Sequence, residues 1–323
     1  MADSPASPRT PRSSRSPSGP RDQLALALQG GGSHGAYSWG VLDALLEQGL
    51  RFDSVCGVSS GAILATMAVQ GMVHGGTAGA RAQMARFWDR VAASDWFGPM
   101  MGALDRWLPG FEIGRGMSNA FAIQGLSAMS SLFGPLSVNP LGQNPLRPIL
   151  ADLLDRSALA DPSAPALFVA ATAVETGQVR IFANAAITVD ALLASACLPT
   201  AFPAVMIEGK AYWDGAYSGN PPLAPLLARR PERLVLIRAQ SRLRKGVPEQ
   251  PADIFNRVQE MAFQATIEAE LTRLPAETRL IEYDADRALD GLTAESRASA
   301  ERVFLDKLFR AGRAAGQNSP HGD

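Results

Sequence analysis

LALALQGGGSHGAYSWGVLDALLEQGLRFDSVCGVSSGAILATMAVQ, residues 24–70, decides the fold. Residues 24–29 are short and continuously apolar, as a strand buried on both faces must be. The glycine run 30–32 ends that strand. Ala36, Trp39, Leu42, Leu45 and Leu46 then recur on one face of a helix over 35–48, and Gly49 stands where a C-cap is wanted. A second strand over 52–57 runs into Val58-Ser59-Ser60-Gly61, and residues 61–70 predict a second helix. Strand–turn–helix twice in succession is the pattern of a parallel sheet covered by helices.

Beyond this stretch the pattern changes and then returns. Residues 78–150 predict helices alternating with Gly/Pro/Asn loops, and three of the five tryptophans lie there: Trp88, Trp96 and Trp107. Strand patterns resume at 166–177, 179–184, 211–215 and 233–239. An amphipathic helix is expected over 251–273 through Ile254, Val258, Met261, Ala265 and Leu271, followed by a strand at 279–283 and a helix over 294–313. No internal repeat is present. The expected organisation is one α/β domain over 23–315, with a helical insertion at 78–150 and a C-terminal extension at 250–315. Residues 1–22 and 316–323 read as disordered tails. The first 22 residues are rich in Ser, Pro and Arg and lack an apolar h-region, which excludes a secretory signal. A transit peptide is the lesser alternative.

Composition narrows the functional classes. The 323 residues carry 30 Lys+Arg against 31 Asp+Glu, so no global positive field exists to hold nucleic acid or a membrane. Two cysteines, Cys56 and Cys197, exclude a disulfide scaffold and a cysteine zinc cluster, and suit a cytoplasmic compartment. No metal or organic cofactor is indicated. The uncharged stretches 54–80 and 116–146 are broken by glycines or by Asn, Gln, Ser and Pro, so neither supplies the ~20 apolar residues of a membrane span. The histidines number three: His34, His74 and His321.

Three motifs carry chemistry. Gly57-Val58-Ser59-Ser60-Gly61 is a G-x-S-x-G between a strand and a helix, where a tight turn needs small neighbours and presents Ser59 above the sheet. Gly57 and Gly61 are the elbow glycines. Gly30-Gly31-Gly32-Ser33-His34-Gly35 matches a dinucleotide fingerprint and equally an oxyanion hole of backbone N–H groups at a helix N-terminus. A dinucleotide site wants an acidic residue at the end of the second strand. Asp53 stands at its beginning, which favours the oxyanion hole. Asp214-Gly215-Ala216 is the third motif, and its weight comes from the histidines. His321 is in the terminal tail, His74 follows the elbow helix, and His34 lies inside the glycine loop, so none has a triad's placement. Ser59 with Asp214 as its base is the remaining reading.

These motifs, in this order, resemble the patatin-like phospholipases. The block ALLASACLPTAFPAV at 191–205 adds to the resemblance through Ala194, Ser195, Ala196, Pro199, Phe202 and Pro203. The likeness spans about residues 24–240. It implies a three-layer α/β/α patatin-like fold with a mainly parallel sheet. It also implies a lipid acyl hydrolase working by a Ser–Asp dyad through an acyl-enzyme, without a cofactor. Ser59 would be the nucleophile, Asp214 the base, and Gly30, Gly31 and Gly32 the oxyanion hole. The family usually has Arg or Lys where His34 stands, often Asp where Gln29 stands, and commonly Thr where Val58 stands. Losing that basic residue removes the loop's own charge for an anionic headgroup.

Three further readings remain open beside this one. The chain could hydrolyse an aliphatic polyester or simple esters, bind lipid with a vestigial site, or be a nucleotide-dependent oxidoreductase. The apolar segment from Trp88 to Phe111 is either a lid or acyl pocket or a helical cap packed on the sheet. Peripheral membrane contact, if made, is expected around Trp96 and Trp107. His34 is a candidate substrate contact, Ser195 is expected to be structural, and the partner expected is a lipid or ester substrate rather than nucleic acid.

Overall fold

The computed structural model describes residues 23–94, 142–249, 251–292 and 294–318. The tail 1–22, the segment 95–141 with Trp96 and Trp107, and residues 319–323 lie outside them. In chain order the described elements begin with β1 (Leu24–Leu28), α1 (Gly35–Glu47), β2 (Ser54–Gly57) and α2 (Ser60–Ala93). Next come α3 (Leu146–Leu153), α4 (Arg156–Leu159), β3 (Ala166–Ala173), β4 (Val179–Ala183), α5 (Val189–Ser195), β5 (Val205–Ile207) and β6 (Lys210–Asp214). The chain continues through α6 (Ala224–Leu227), β7 (Arg233–Arg238), α7 (Pro251–Leu271), β8 (Arg279–Asp284) and α8 (Arg302–Gln317).

β1 shows why the layers form. All five of its residues are buried. Leu24, Leu26 and Leu28 point into one core, together with Val235 and Ile237 of β7 and residues of α1, α2 and α8. Ala25 and Ala27 point the other way, joining Leu234 and Leu236 of β7, Leu226 of α6 and Ile267 of α7. Period-two alternation in a strand buried on both faces thus puts bulky side chains under one helical layer and small ones under the other. The result is a three-layer α/β/α fold. The sheet has eight strands, hydrogen-bonded one to the next along the path β5-β6-β3-β2-β1-β7-β8, with β4 also paired to β3. From β3 to β8 the pairs are parallel, while β4, β5 and β6 pair antiparallel.

The edges of β3 position the candidate site. β4 pairs with Phe168–Thr172, and β6 pairs with Ala171–Ala173. Because these spans overlap, β4 and β6 must lie on opposite edges. β2 pairs with Ala166–Val169 and so shares an edge with β6. β2 and β6 run in opposite directions along that edge and end toward each other, β2 at Gly57 beside Val169 and β6 at Asp214 beside Ala171. Two strands meeting head to head bring the elbow and the aspartate together.

The remaining differences from the sequence reading are local. α2 continues past residue 78 to Ala93, but it is two helical halves meeting at Gly75 and Gly76, whose backbone is non-helical. α5 and the three-residue β5 were not expected. Thr188 caps α5, its hydroxyl accepting from the Ala191 N–H at 3.1 Å. The last helix begins at Arg302 rather than 294, because Ala294–Ala298 form a 3-10 turn. In α7 the predicted stripe is inverted. Ile254, Val258 and Met261 are exposed, while Phe263 and Ile267 on the opposite face are buried. No helix among the described residues is long and apolar enough to cross a membrane.

α8 is tightly joined to the rest. Asp43 of α1 is buried and accepts from Arg81 Nε of α2 at 2.8 Å and from Arg313 of α8, so one carboxylate ties three helices. α1 and α8 meet backbone to backbone: a Cβ at Gly312 would stand 2.1 Å from the Tyr37 carbonyl oxygen. Gly312→Leu is therefore expected to destabilise the fold by ~2 kcal/mol or more, since overpacking forces the helices apart. Denaturant unfolding with an unchanged midpoint would contradict this packing.

Candidate active site

Ser59 stands at the end of β2 with φ 56° and ψ −127°. Positive φ strains a residue with a Cβ, typically by ~1–3 kcal/mol, and such strain concentrates at functional turns. The turn is possible because Gly57 and Gly61 pass so close together. A Cβ on Gly57 would lie 2.5 Å from the Gly61 carbonyl oxygen, and one on Gly61 would lie 2.5 Å from that of Leu28. The Ser59 carbonyl accepts from Ala62 and Ile63, which starts α2 directly after Ser59. Ser59 itself is half-buried.

The Ser59 side chain faces the carboxylate of Asp214 and favours its ionised form. Asp214 is buried and accepts from the Ala216 N–H at 2.9 Å. Burial disfavours its charged form and pushes its pKa up to about 7, while the Ala216 N–H and the Ser59 hydroxyl pull the other way. Its backbone is held on both sides. The Asp214 N–H donates to the Cys197 carbonyl at 2.8 Å, and Thr172 Oγ1 donates to the Asp214 carbonyl at 2.8 Å.

The block at 191–205 anchors both members of this pair. Ser195 Oγ accepts from the Ser59 N–H at 3.0 Å, and two residues later Cys197 holds Asp214. Sequence reasoning took Ser195 as structural but could not see that its partner is the candidate nucleophile's own backbone. Both cysteines are buried. Cys56 Sγ donates to the Pro222 carbonyl and Cys197 Sγ to that of Pro203, each at 3.2 Å, and burial pushes the Cys197 thiol up to about 12.

The glycine loop lies against the elbow: a Cβ on Gly30 would stand 2.8 Å from Ser59 Cβ. Its amides are not three equivalent donors. The Gly30 N–H donates to Asn220 Oδ1 at 2.8 Å, and the Gly31 N–H donates to Ser60 Oγ at 3.2 Å. The N–H of Gly32, on the exposed side of the loop, has no partner among the described residues. Gln240 Nε2 donates to the Gly30 carbonyl at 2.7 Å. Gln29 Oε1, where an acidic residue was the usual expectation, accepts from the N–H groups of Ala239 and Gln240 at 3.0 and 3.1 Å. Asn220, Gln240 and Gln29 thus hold the loop's shape. Asn220 and Gln240 carried no sequence signal, since each is an isolated amide about 200 residues from the loop it holds.

His34 is buried, and its Nε2 lies 2.7 Å from Ser296 Oγ. Burial, then the charges of Arg297 and Arg244, hold its pKa down to about 3. It is a neutral ring tying the loop to the C-terminal segment, and a substrate contact finds no support in this placement. His74 sits on the surface, paired with Asp155 at 2.9 Å. Trp88, the described start of the expected lid segment, is buried against Trp39 and Phe87. Among the described residues no group of three or more His, Cys, Asp or Glu is arranged to hold a metal ion.

Ser59→Gly relieves the strain of the positive φ at this position and Ser59→Ala does not. The glycine variant is expected to be more stable than the alanine variant by ~1 kcal/mol in denaturant unfolding. Equal stabilities would remove the strained elbow.

No curated protein matches the sequence. Among solved structures, VipD from Legionella pneumophila matches with a TM-score of 0.39 and 15% identity over 89% of this chain and 67% of that one. Human GIVD cytosolic phospholipase A2, in complex with methyl gamma-linolenyl fluorophosphonate, gives 0.44 and 14% over 91% and 57%. Full-length ExoU of the Pseudomonas aeruginosa type III secretion system, in complex with SpcU, gives 0.31 and 16% over 92% and 53%. The chain thus spans between about half and two thirds of the length of these structures. The family model described as patatin-like phospholipase matches residues 26–227, which include the glycine loop, the elbow, the 191–205 block and Asp214. The chain belongs to the patatin-like phospholipase family.

Proposed function

We propose that the chain is a serine-dependent lipid acyl hydrolase, a carboxylic ester hydrolase in which Ser59 is the nucleophile and Asp214 its base. The observation that carries this reading is the placement of the strained, half-buried Ser59 against a buried carboxylate whose pKa is pushed up to about 7. An ordinary aspartate, at ~3.9, is a feeble base toward an alcohol. One held near 7 is ionised in part at neutral pH and binds a proton far better, as a general base should. Family membership supports a lipid ester as the substrate, and residues 23–315 act as one catalytic domain in this reading.

In this mechanism Ser59 Oγ attacks the ester carbonyl while its proton passes to Asp214. The carbonyl oxygen becomes an oxyanion. Its donors are the Gly32 N–H and the N–H of Ser60 at the start of α2, with Gly30 and Gly31 shaping the loop through their engaged amides. Collapse expels the alcohol, which takes the proton from Asp214 and leaves the acyl group on Ser59. Water then attacks the acyl-enzyme, Asp214 again accepts a proton, and the acid leaves as Ser59 regains its hydrogen. The cycle balances with one water consumed per ester.

The raised Asp214 pKa has opposite consequences for activity and stability. Activity needs the ionised form, so kcat/KM is expected to fall about tenfold per pH unit below about 7 and to level off above it. Stability runs the other way, because the native state holds the proton more tightly than the unfolded chain. Its contribution is complete below about pH 4 and is lost as pH rises through about 7. Ser59→Ala and Asp214→Asn are each expected to abolish hydrolysis of phospholipid and short-chain esters with the fold intact. Asp214→Asn should also gain melting temperature over the parent at pH 8, and less at pH 5. Full activity in either variant would overturn the dyad.

A further inference from the structure

Six of the ten large hydrophobic side chains that stand exposed among the described residues fall between 243 and 261. They are Leu243 (70% exposed), Val247 (86%), Ile254, Phe255, Val258 (58%) and Met261 (56%). Ile254, Val258 and Met261 lie at i, i+4 and i+7 and so form one stripe along α7, with Phe255 beside it. A helix usually turns such a stripe inward. Here the opposite face is the buried one: Phe263 meets Tyr217 edge-on with ring centroids 5.0 Å apart, and Gln259 Nε2 donates to the Tyr217 hydroxyl at 2.6 Å. Tyr217 stands three residues after Asp214. α7 therefore has one face against the candidate active site and an apolar face turned to solvent.

The preceding loop belongs to the same surface. Arg244 Nη2 bonds Glu260 Oε1 at 2.6 Å, which ties the loop that carries Leu243 to α7. Arg257 and Arg297 converge on the same carboxylate, so three guanidinium groups meet one acid and these four groups carry a formal charge of +2. The cluster adjoins the glycine loop: a Cβ on Gly32 would stand 2.4 Å from the Arg297 carbonyl oxygen. Over 243–261 itself Arg244, Lys245 and Arg257 balance Glu249, Asp253 and Glu260, so the excess positive charge is confined to this cluster and is supplied by Arg297. An apolar stripe with cations at its edge complements an anionic lipid surface, where side chains enter the acyl boundary and guanidinium groups meet phosphates.

We propose that residues 243–247 and 254–261 form the face by which this protein docks on an anionic lipid bilayer, beside the Ser59 site. That the docked face delivers acyl esters to Ser59 rests on the lipid-hydrolase reading. The docking itself does not, so it is tested on Ser59→Ala protein, which leaves vesicles intact. Co-sedimentation with phosphatidylcholine vesicles, with and without phosphatidylglycerol, reads the affinity directly.

The background protein is expected to bind phosphatidylglycerol-containing vesicles more tightly than pure phosphatidylcholine. Adding Val258→Glu and Met261→Glu together should weaken that binding by ~10-fold or more, equivalent to ~1.4 kcal/mol, with the circular dichroism spectrum and melting temperature retained. Val258→Leu should bind as the background does. Arg244→Gln should narrow the preference for phosphatidylglycerol. Binding unchanged by the double substitution would overturn the proposal. So would a dimer in analytical ultracentrifugation that the double variant dissociates, because a second copy of the chain would then be what covers this face. Docking that persists when the parent hydrolyses no lipid would sink the hydrolase reading and leave this one standing.

Discussion

The structure depends on keeping one carboxyl group out of water beside one hydroxyl. In the proposed role of base, Asp214 relies on burial to raise its proton affinity, and burial is tolerable only because its polar atoms are met: Ser59 and Ala216 at the carboxylate, Cys197 and Thr172 at the backbone. The sheet arranges this. β2 and β6 share an edge of β3 and end toward each other, so the elbow and the aspartate are joined through the central sheet. The 191–205 block then holds the backbone of each, through Ser195 and Cys197. A site assembled this way is insensitive to much of the surface and sensitive to small changes at a few buried polar atoms.

Much of this was legible in the sequence, for a physical reason. A buried parallel strand, a tight elbow and a close backbone approach each restrict residue type strongly and locally. LALAL, GVSSG, GGG and DGA therefore announce themselves without knowledge of what packs against them. The supports were not legible. Asn220, Gln240 and Ser195 act on backbone atoms 136 or more residues away, and a lone amide or hydroxyl carries no sign of its partner. The glycine loop illustrates both halves: its position was readable, but which of its amides remain for a developing charge depends on Asn220 and Ser60.

α7 marks where periodicity misleads. The stripe Ile254, Val258, Met261 has the spacing of a core face, and the spacing is right for a helix. It does not say which side the sheet is on. The buried side instead carries Glu260, Phe263 and Ile267, with Glu260 satisfied by three arginines. Those arginines come from beyond the segment matched by the family model, yet they adjoin the glycine loop at Gly32. The loop has neutral His34 where its relatives commonly have a cation, and the C-terminal segment returns positive charge to the same neighbourhood.

The central claim is that Ser59 is a nucleophile because Asp214 takes its proton. Its most direct test is the rate and site of covalent modification by a fluorophosphonate probe, followed by peptide mass spectrometry. The account predicts one adduct, on Ser59, forming faster as pH rises through about 7 and lost in Asp214→Asn. An adduct on Ser60 or Ser195, or Ser59 labelling at the same rate without Asp214, would contradict it.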